Sequence, residues 1–195
     1  MYREPHELVL RKQIDHIDPA ARGFIAASPF VVLATAHAGG ADASPRGGPP
    51  GFVKVLDDHR LAFGDLSGNN RLDSLTNLLA QPDVGLLFLV PGLRETLRVN
   101  GRATLTTDPQ VLEATSLEGT RPRAAVGIDV EECFIHCAKA FRRSRLWDPQ
   151  AWLDAGLRPS AACALRDHLQ LDVDPKVIED DLEVAYRETL WEPGG

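Results

Sequence analysis

Val84-Gly85-Leu86-Leu87-Phe88-Leu89-Val90 is an almost wholly apolar run, followed by Pro91-Gly92 and then by a stretch from Glu95 to Thr106. A run this short and this apolar reads as a strand buried on both faces, and Pro-Gly is a turn signal. The second stretch reads as a long strand interrupted at Gly101, because a glycine inside a strand marks a bulge or a close backbone approach.

Upstream, Phe30-Val31-Val32-Leu33-Ala34-Thr35-Ala36 is β-rich and bounded by Pro29 and Gly39-Gly40, glycines that send the chain back through Ser44 as a hairpin. Phe52 to Leu56 and Leu61 to Phe63 read as two further strands around the turn Asp57-Asp58-His59-Arg60, a spacing that suits antiparallel pairing. Ala124 to His136 returns to β character, with Val126, Ile128, Val130, Phe134 and Ile135 as its apolar positions. Inside this series the period changes once. From Asn69 to Ala80, Leu72, Leu75, Leu78 and Leu79 recur at helical spacing, and Pro82 stops the helix. Asp108-Pro109 starts a short helix running through Ser116.

Residues 6–28 read as helical, with a restart at Asp18-Pro19, and 161–171 and 175–191 read as two amphipathic helices. Six or so strands with one helix well inside their order fit a small closed barrel better than a doubly wound parallel sheet. The expected fold is mainly β with α additions, an antiparallel barrel with peripheral helices. It forms one domain over 1–195, with its core at about 25–140, helices before it and a helical extension from about 150.

The 195 residues are 44% hydrophobic and 25% charged, an ordinary soluble composition, with a net charge of −7. That balance disfavours a broad nucleic-acid surface, so an anionic ligand needs a local basic pocket. Cys133, Cys137 and Cys163 form no CxxC pair, which argues against a disulfide framework or zinc knuckle and for the cytoplasm. The charged N-terminal segment lacks the apolar core of a signal peptide, and no segment approaches a membrane span. No HExxH or comparable ligand pair points to a metal, and neither GxGxxG nor GxxxxGK[ST] occurs. Cys133 reads as a small buried hydrophobe rather than a nucleophile.

Three polar patches sit between the β-like runs. Arg46 follows Pro45 and precedes two glycines, a setting that lets backbone approach a planar ligand while the guanidinium reaches a phosphate or ring oxygen. A surface turn with an exposed arginine has the same local composition. Asn69-Asn70-Arg71 with Ser74 lies at a helix start, where free N–H groups favour an anion. Ordinary N-capping explains the asparagines equally well and leaves Arg71 and Ser74 unexplained. Arg98 and Asn100 share a strand face, as residues merely facing water also do. Lys139, Arg142, Arg143 and Arg145 form the strongest basic run, beside Trp147, and a solvated helix face with a core tryptophan is the plain alternative.

Taken in order, DASPRGGPPGFVKV, GNNRLDSLTNLLAQPDVGLLFLVPG, ETLRVNGRATL and CFIHCAKAFRRSRLW resemble the pyridoxamine 5′-phosphate oxidase-related FMN-binding proteins, over roughly residues 25–150. The resemblance implies the FMN-binding split barrel, an antiparallel Greek-key barrel that forms a homodimer with flavin at the subunit interface. It further implies that Ser44 and Arg46 lie beside the flavin and that Asn70, Arg71 and Ser74 form the phosphate-side group. Lys139, Arg145 and Trp147 would reach a flavin across the interface. The family's basic Ser-Arg-Lys phosphate motif is here Asn-Asn-Arg, and the substrate-binding Arg-x-His near the C-terminus is missing, so oxidation of pyridoxamine phosphate itself is not expected. The resulting expectation is an FMN-dependent oxidoreductase acting on a small organic substrate, with no catalytic acid or base legible. A non-catalytic flavin module, a deazaflavin-dependent reductase and a haem-degrading relative are the alternatives on the same fold.

Overall fold

The computed structural model of the chain describes residues 3–194. Among these, one antiparallel sheet holds β1 (Phe30–His37), β2 (Gly40–Gly47), β3 (Lys54–Val55), β4 (Arg60–Gly64), β5 (Asp83–Leu89), β6 (Thr96–Thr106) and β7 (Ala125–His136). Their order is β2-β1-β5-β6-β7-β4-β3. β5, β6 and β7 are successive neighbours and β4 returns beside β7, a Greek-key arrangement.

In a flat sheet β2 and β4 would lie five interstrand spacings apart, about 24 Å at about 4.8 Å each. Arg46 on β2 and Asp65, immediately after β4, instead approach to 3.8 Å. The sheet is therefore rolled into a barrel, and the chain itself crosses the seam. The Gly51 N–H donates to the Ser28 carbonyl at 3.2 Å and the Gly48 N–H to that of Pro29 at 3.1 Å, which holds 48–53 across the gap between β2 and β3. This turn shortens the strand expected from Phe52 to Leu56 to Lys54–Val55.

Side chains alternate into the barrel interior: Val31 and Leu33, Leu86 and Phe88, Leu97 and Val99, Val126 and Ile128 are all buried. β5 is buried on that face only, since Gly85, Leu87 and Leu89 on the other face are half-buried, not enclosed. At the β1–β2 hairpin His37 pairs with Gly40, and Ala38 and Gly39 take φ of 51° and 80°, the left-handed pair that matches strand twist.

The N-terminal region is two helices, α1 (Glu7–Arg11) and α2 (Pro19–Ala27), the second restarting at Asp18-Pro19 as the sequence indicates. Between them Ile14 pairs its backbone with Cys133 in both directions, at 3.0 and 2.7 Å. Asp18 accepts the Ala21 N–H at 2.7 Å to start α2, which buries Ala21 and Ile25. The next helix, α3 (Asp73–Ala80), starts later than Asn69 because Asn70 and Leu72 take φ of 56° and 57°, outside any right-handed helix. Leu78 is buried and Leu75 packs against the core, whereas Leu79 is 75% exposed, so the four leucines do not share one face. Four more helices follow: α4 (Pro109–Ala114), α5 (Lys139–Ser144), α6 (Ala161–Leu169) and α7 (Pro175–Thr189). Among the described residues no helix is long and apolar enough to cross a membrane.

The register of β6 against β7 shifts between Asn100 and Gly101. A Cβ on Gly101 would overlap the backbone carbonyl of Asp129, so only glycine fits the bulge. Cys133 is buried, and burial pushes its thiol up to about 11, the state of an inert core residue.

Gly101→Ala should lower the unfolding free energy by about 1–3 kcal/mol, because the obstruction is backbone and cannot swing aside. Gly23→Ala, in α2 with open space at its Cβ, should raise it by about 0.5–1 kcal/mol. Urea unfolding of the two variants checks the opposite signs.

Candidate functional site

Asp42, Ser44 and Arg46 alternate along β2 and are half-buried, while Ala41, Ala43 and Pro45 between them are exposed. They therefore share one face. Across from that face run the loop after β4 and the first turn of α3. Between them is a cleft of about 330 Å³, whose lining includes Ser44, Arg46, Asp65, Asn70, Arg71 and Ser74. The volume is within the range of about 300–1,000 Å³ typical of small-molecule sites. The structure thus gathers Ser44 and Arg46 with Asn70, Arg71 and Ser74.

The asparagines do not cap α3. Its N-cap is Leu72, which offers no side-chain acceptor, and Asn69 instead accepts the Arg71 N–H at 3.2 Å. The N–H groups of the first turn are left to water or to a ligand, at the positive end of the helix dipole. Two non-glycine residues in left-handed conformation within three positions store strain of about 1–3 kcal/mol each, a feature that clusters at functional sites.

Each cationic group in the cleft has an acidic neighbour. Arg71 Nε donates to Asp73 at 2.8 Å, and Arg46 faces Asp65 at 3.8 Å. Ser74 is buried and its hydroxyl donates to Asp42 at 2.8 Å, so Asp42 rather than solvent fixes that side chain. Thr35 adds a longer contact to the same carboxylate at 3.5 Å, and is itself held by Asn77 at 3.0 Å. Burial pushes the Asp65 carboxyl above its ordinary range, with Arg46 pulling the other way. The Nε of Arg46 is buried and has no hydrogen-bond partner. A buried donor without an acceptor is costly, and a ligand acceptor beside β2 would satisfy it.

Other candidates lie elsewhere. Arg145 pairs with Asp148 at 2.6 Å, and the Trp147 indole N–H donates to the Leu93 carbonyl at 2.8 Å with its ring stacked on Phe141. These two residues border a second hollow of about 440 Å³ together with Arg94 and Arg142, while Lys139 starts the adjoining α5. Arg98 lies over the Phe134 ring and Asn100 donates to Glu132 at 2.7 Å, both outside the cleft. Among the described residues no group of three or more His, Cys, Asp or Glu is placed to hold a metal ion.

Asp42, Asp65 and Gly194 are cleft residues that sequence reasoning did not single out. The period-two spacing of Asp42 with Ser44 and Arg46 was the available signal for the first. Asp65 reaches the cleft through the rolling of the sheet and Gly194 through the return of the 192–194 segment beside Leu66, neither of which leaves a local trace.

A profile of the family described as pyridoxamine 5′-phosphate oxidase matches residues 17–137, a span that covers the barrel and every residue of the cleft except Gly194. The chain belongs to the pyridoxamine 5′-phosphate oxidase-related family. A single-residue variant of HupZ from Group A Streptococcus is 18% identical, with a TM-score of 0.50 over 62% of this chain and 99% of its own, a likeness of fold. The FAD binding protein from Mycobacterium smegmatis matches more distantly, at 10% identity and a TM-score of 0.43, over 63% of this chain and 97% of its own. A search of the curated proteins finds no match.

Ser74→Ala should destabilise the fold by about 1–3 kcal/mol by taking from the Asp42 carboxylate its shorter donor and leaving only the longer Thr35 contact. Asp42→Asn with Ser74→Ala together should cost less than the sum of the single changes, which a double-mutant cycle in urea measures.

Proposed function

We propose that the chain binds FMN in this cleft and acts as an oxidoreductase on a small organic substrate. The observation that carries the reading is the pairing, in one cleft, of an orphaned Arg46 Nε with the uncapped start of α3 beside Arg71. One supplies a buried donor for a polar ring edge, and the other supplies N–H groups, a helix dipole and a guanidinium for a phosphate. Membership of the pyridoxamine 5′-phosphate oxidase-related family supports the same ligand.

When bound, the flavin supplies the electron or hydride transfer. The chain supplies position and electrostatics. Arg46 and Ser44 hold the ring from β2, and the first-turn N–H groups of α3 receive the phosphate. Arg71, 73% exposed and held by Asp73, turns from that carboxylate to share a phosphate oxygen. A charge-assisted bond of this kind is worth about 1.5–3 kcal/mol. Asn70 contributes its left-handed backbone, which aims Arg71 and the helix start toward the same point.

The working unit in this proposal is a homodimer. The cleft is at the small end of the range for ligand sites and open on one side, so a partner subunit is needed to cover a flavin ring. Lys139, Arg145 and Trp147 are the candidates for that contribution in trans. Leu146, Trp152 and Leu153, 46%, 53% and 56% exposed around them, form an apolar surface of the kind interfaces cover.

Purified protein should carry FMN that denaturation releases, and NADH or NADPH with candidate acceptors should then cycle it. Excess FMN at about 100 times its dissociation constant should stabilise the fold by about 2.7 kcal/mol. Arg71→Ala should lose most of that thermal shift and Arg102→Ala, paired with Asp83 outside the cleft, should keep it. Equal shifts in both would remove Arg71 from the phosphate site.

Subunits carrying Arg46→Ala and Trp147→Ala, each weak in FMN binding alone, should regain a binding site when mixed. A monomer with full FMN affinity would exclude the shared site.

A further inference from the structure

Asp65 and Arg46 meet across the seam of the barrel, from strands five places apart in the strand order. The side chains are 13% and 27% exposed, and this is the one ion pair of Arg46 among the described residues. With Nε unpartnered, nothing else polar fixes the direction of the guanidinium.

Asp65 is in turn held by chain that returns from the far end of the sequence. Trp191 packs against the core, and beyond it the Ser67 N–H donates to the Glu192 carbonyl at 2.9 Å and the Gly194 N–H to that of Asp65 at 3.2 Å. Leu66 and Pro193 form an antiparallel bridge between these two bonds. Gly194 is buried and lies so close that a Cβ there would overlap the Asp65 carboxylate oxygen. The returning segment thus behaves as a short extra strand that lies against the Asp65 carboxylate and shields it from water, in keeping with the upward shift of its titration.

We infer that Asp65 is a positioning residue: clamped by Glu192–Gly194, it sets the direction in which Arg46 presents its guanidinium to the cleft. The ligand in this inference rests on the flavin reading; the coupling of Gly194 to Asp65 to Arg46 does not. Asp65→Asn removes the charge that aims Arg46. Gly194→Ala keeps the charge and displaces the carboxylate.

Two measurements on the full chain test it. In ligand-free ¹⁵N-labelled protein, the Arg46 Nε–H resonance, assigned by its loss in Arg46→Lys, should move in both Asp65→Asn and Gly194→Ala. An unmoved resonance in folded Asp65→Asn overturns the inference, and one unmoved only in Gly194→Ala overturns the part played by the tail. In titrations, both variants should weaken riboflavin and FMN alike, by about tenfold, and alter the visible absorption of the bound flavin. If Asp65 were only a negative charge in the cleft, Asp65→Asn would tighten FMN, which bears a phosphate, and leave riboflavin unchanged, and that result overturns positioning. A wild-type protein that binds neither compound would remove the flavin reading, while the resonance still decides the coupling.

Discussion

Everything in the site depends on the rolling of one antiparallel sheet. β2 and β4 are far apart in the strand order, yet residues at their ends are in ion-pair range. Right-handed strand twist supplies the curvature, and the bulge at Gly101, in the middle of the longest pairing, sharpens it. The interior side chains hold the curvature because β1 and β5 keep full burial for one face, so flattening the sheet would expose Val31, Leu33, Leu86 and Phe88 together. The cleft is what remains at the seam where rolling ends.

The electrostatics of that seam are balanced and not simply basic. Asp42, Asp65 and Asp73 face Arg46 and Arg71, so the cleft holds three acidic groups against two basic ones. In a chain of net charge −7 this keeps the arginines from attracting anions indiscriminately. It also means that binding exchanges one ionic partner for another, so selectivity comes from geometry: which ligand can meet the α3 N–H groups and Arg46 at once.

How much of this was legible in the sequence follows from the range of each interaction. Strands announced by alternation or apolar runs, β1 and β4 to β7, stand where they were read, because neighbouring residues decide them. Boundaries shifted where a turn competes with a periodic pattern: α3 loses Asn69 to Leu72 to two left-handed residues, and β3 shrinks under the turn at Gly48–Gly51. The grouping of Ser44 and Arg46 with Asn70, Arg71 and Ser74 could be read from motif order. Asp65 and Gly194 could not, since they lie far apart in the chain and only the folded structure makes them neighbours. Composition left capping by Asn69 or Asn70 open beside the anion reading, because it does not reveal which residue bends the chain into the helix.

The contact between Gly194 and Asp65 sets a schedule for the protein's birth. Synthesis runs from the N-terminus at about 5–20 residues per second, and the barrel strands are complete once β7 has emerged. The seam is not. Until residue 194 has cleared the ribosome, Asp65 and Ser67 lack the backbone partners that this segment supplies. A chain cut before Glu192 would lack the backbone partners of Asp65 and Ser67, so this edge of the cleft is the last part of the described structure to be completed.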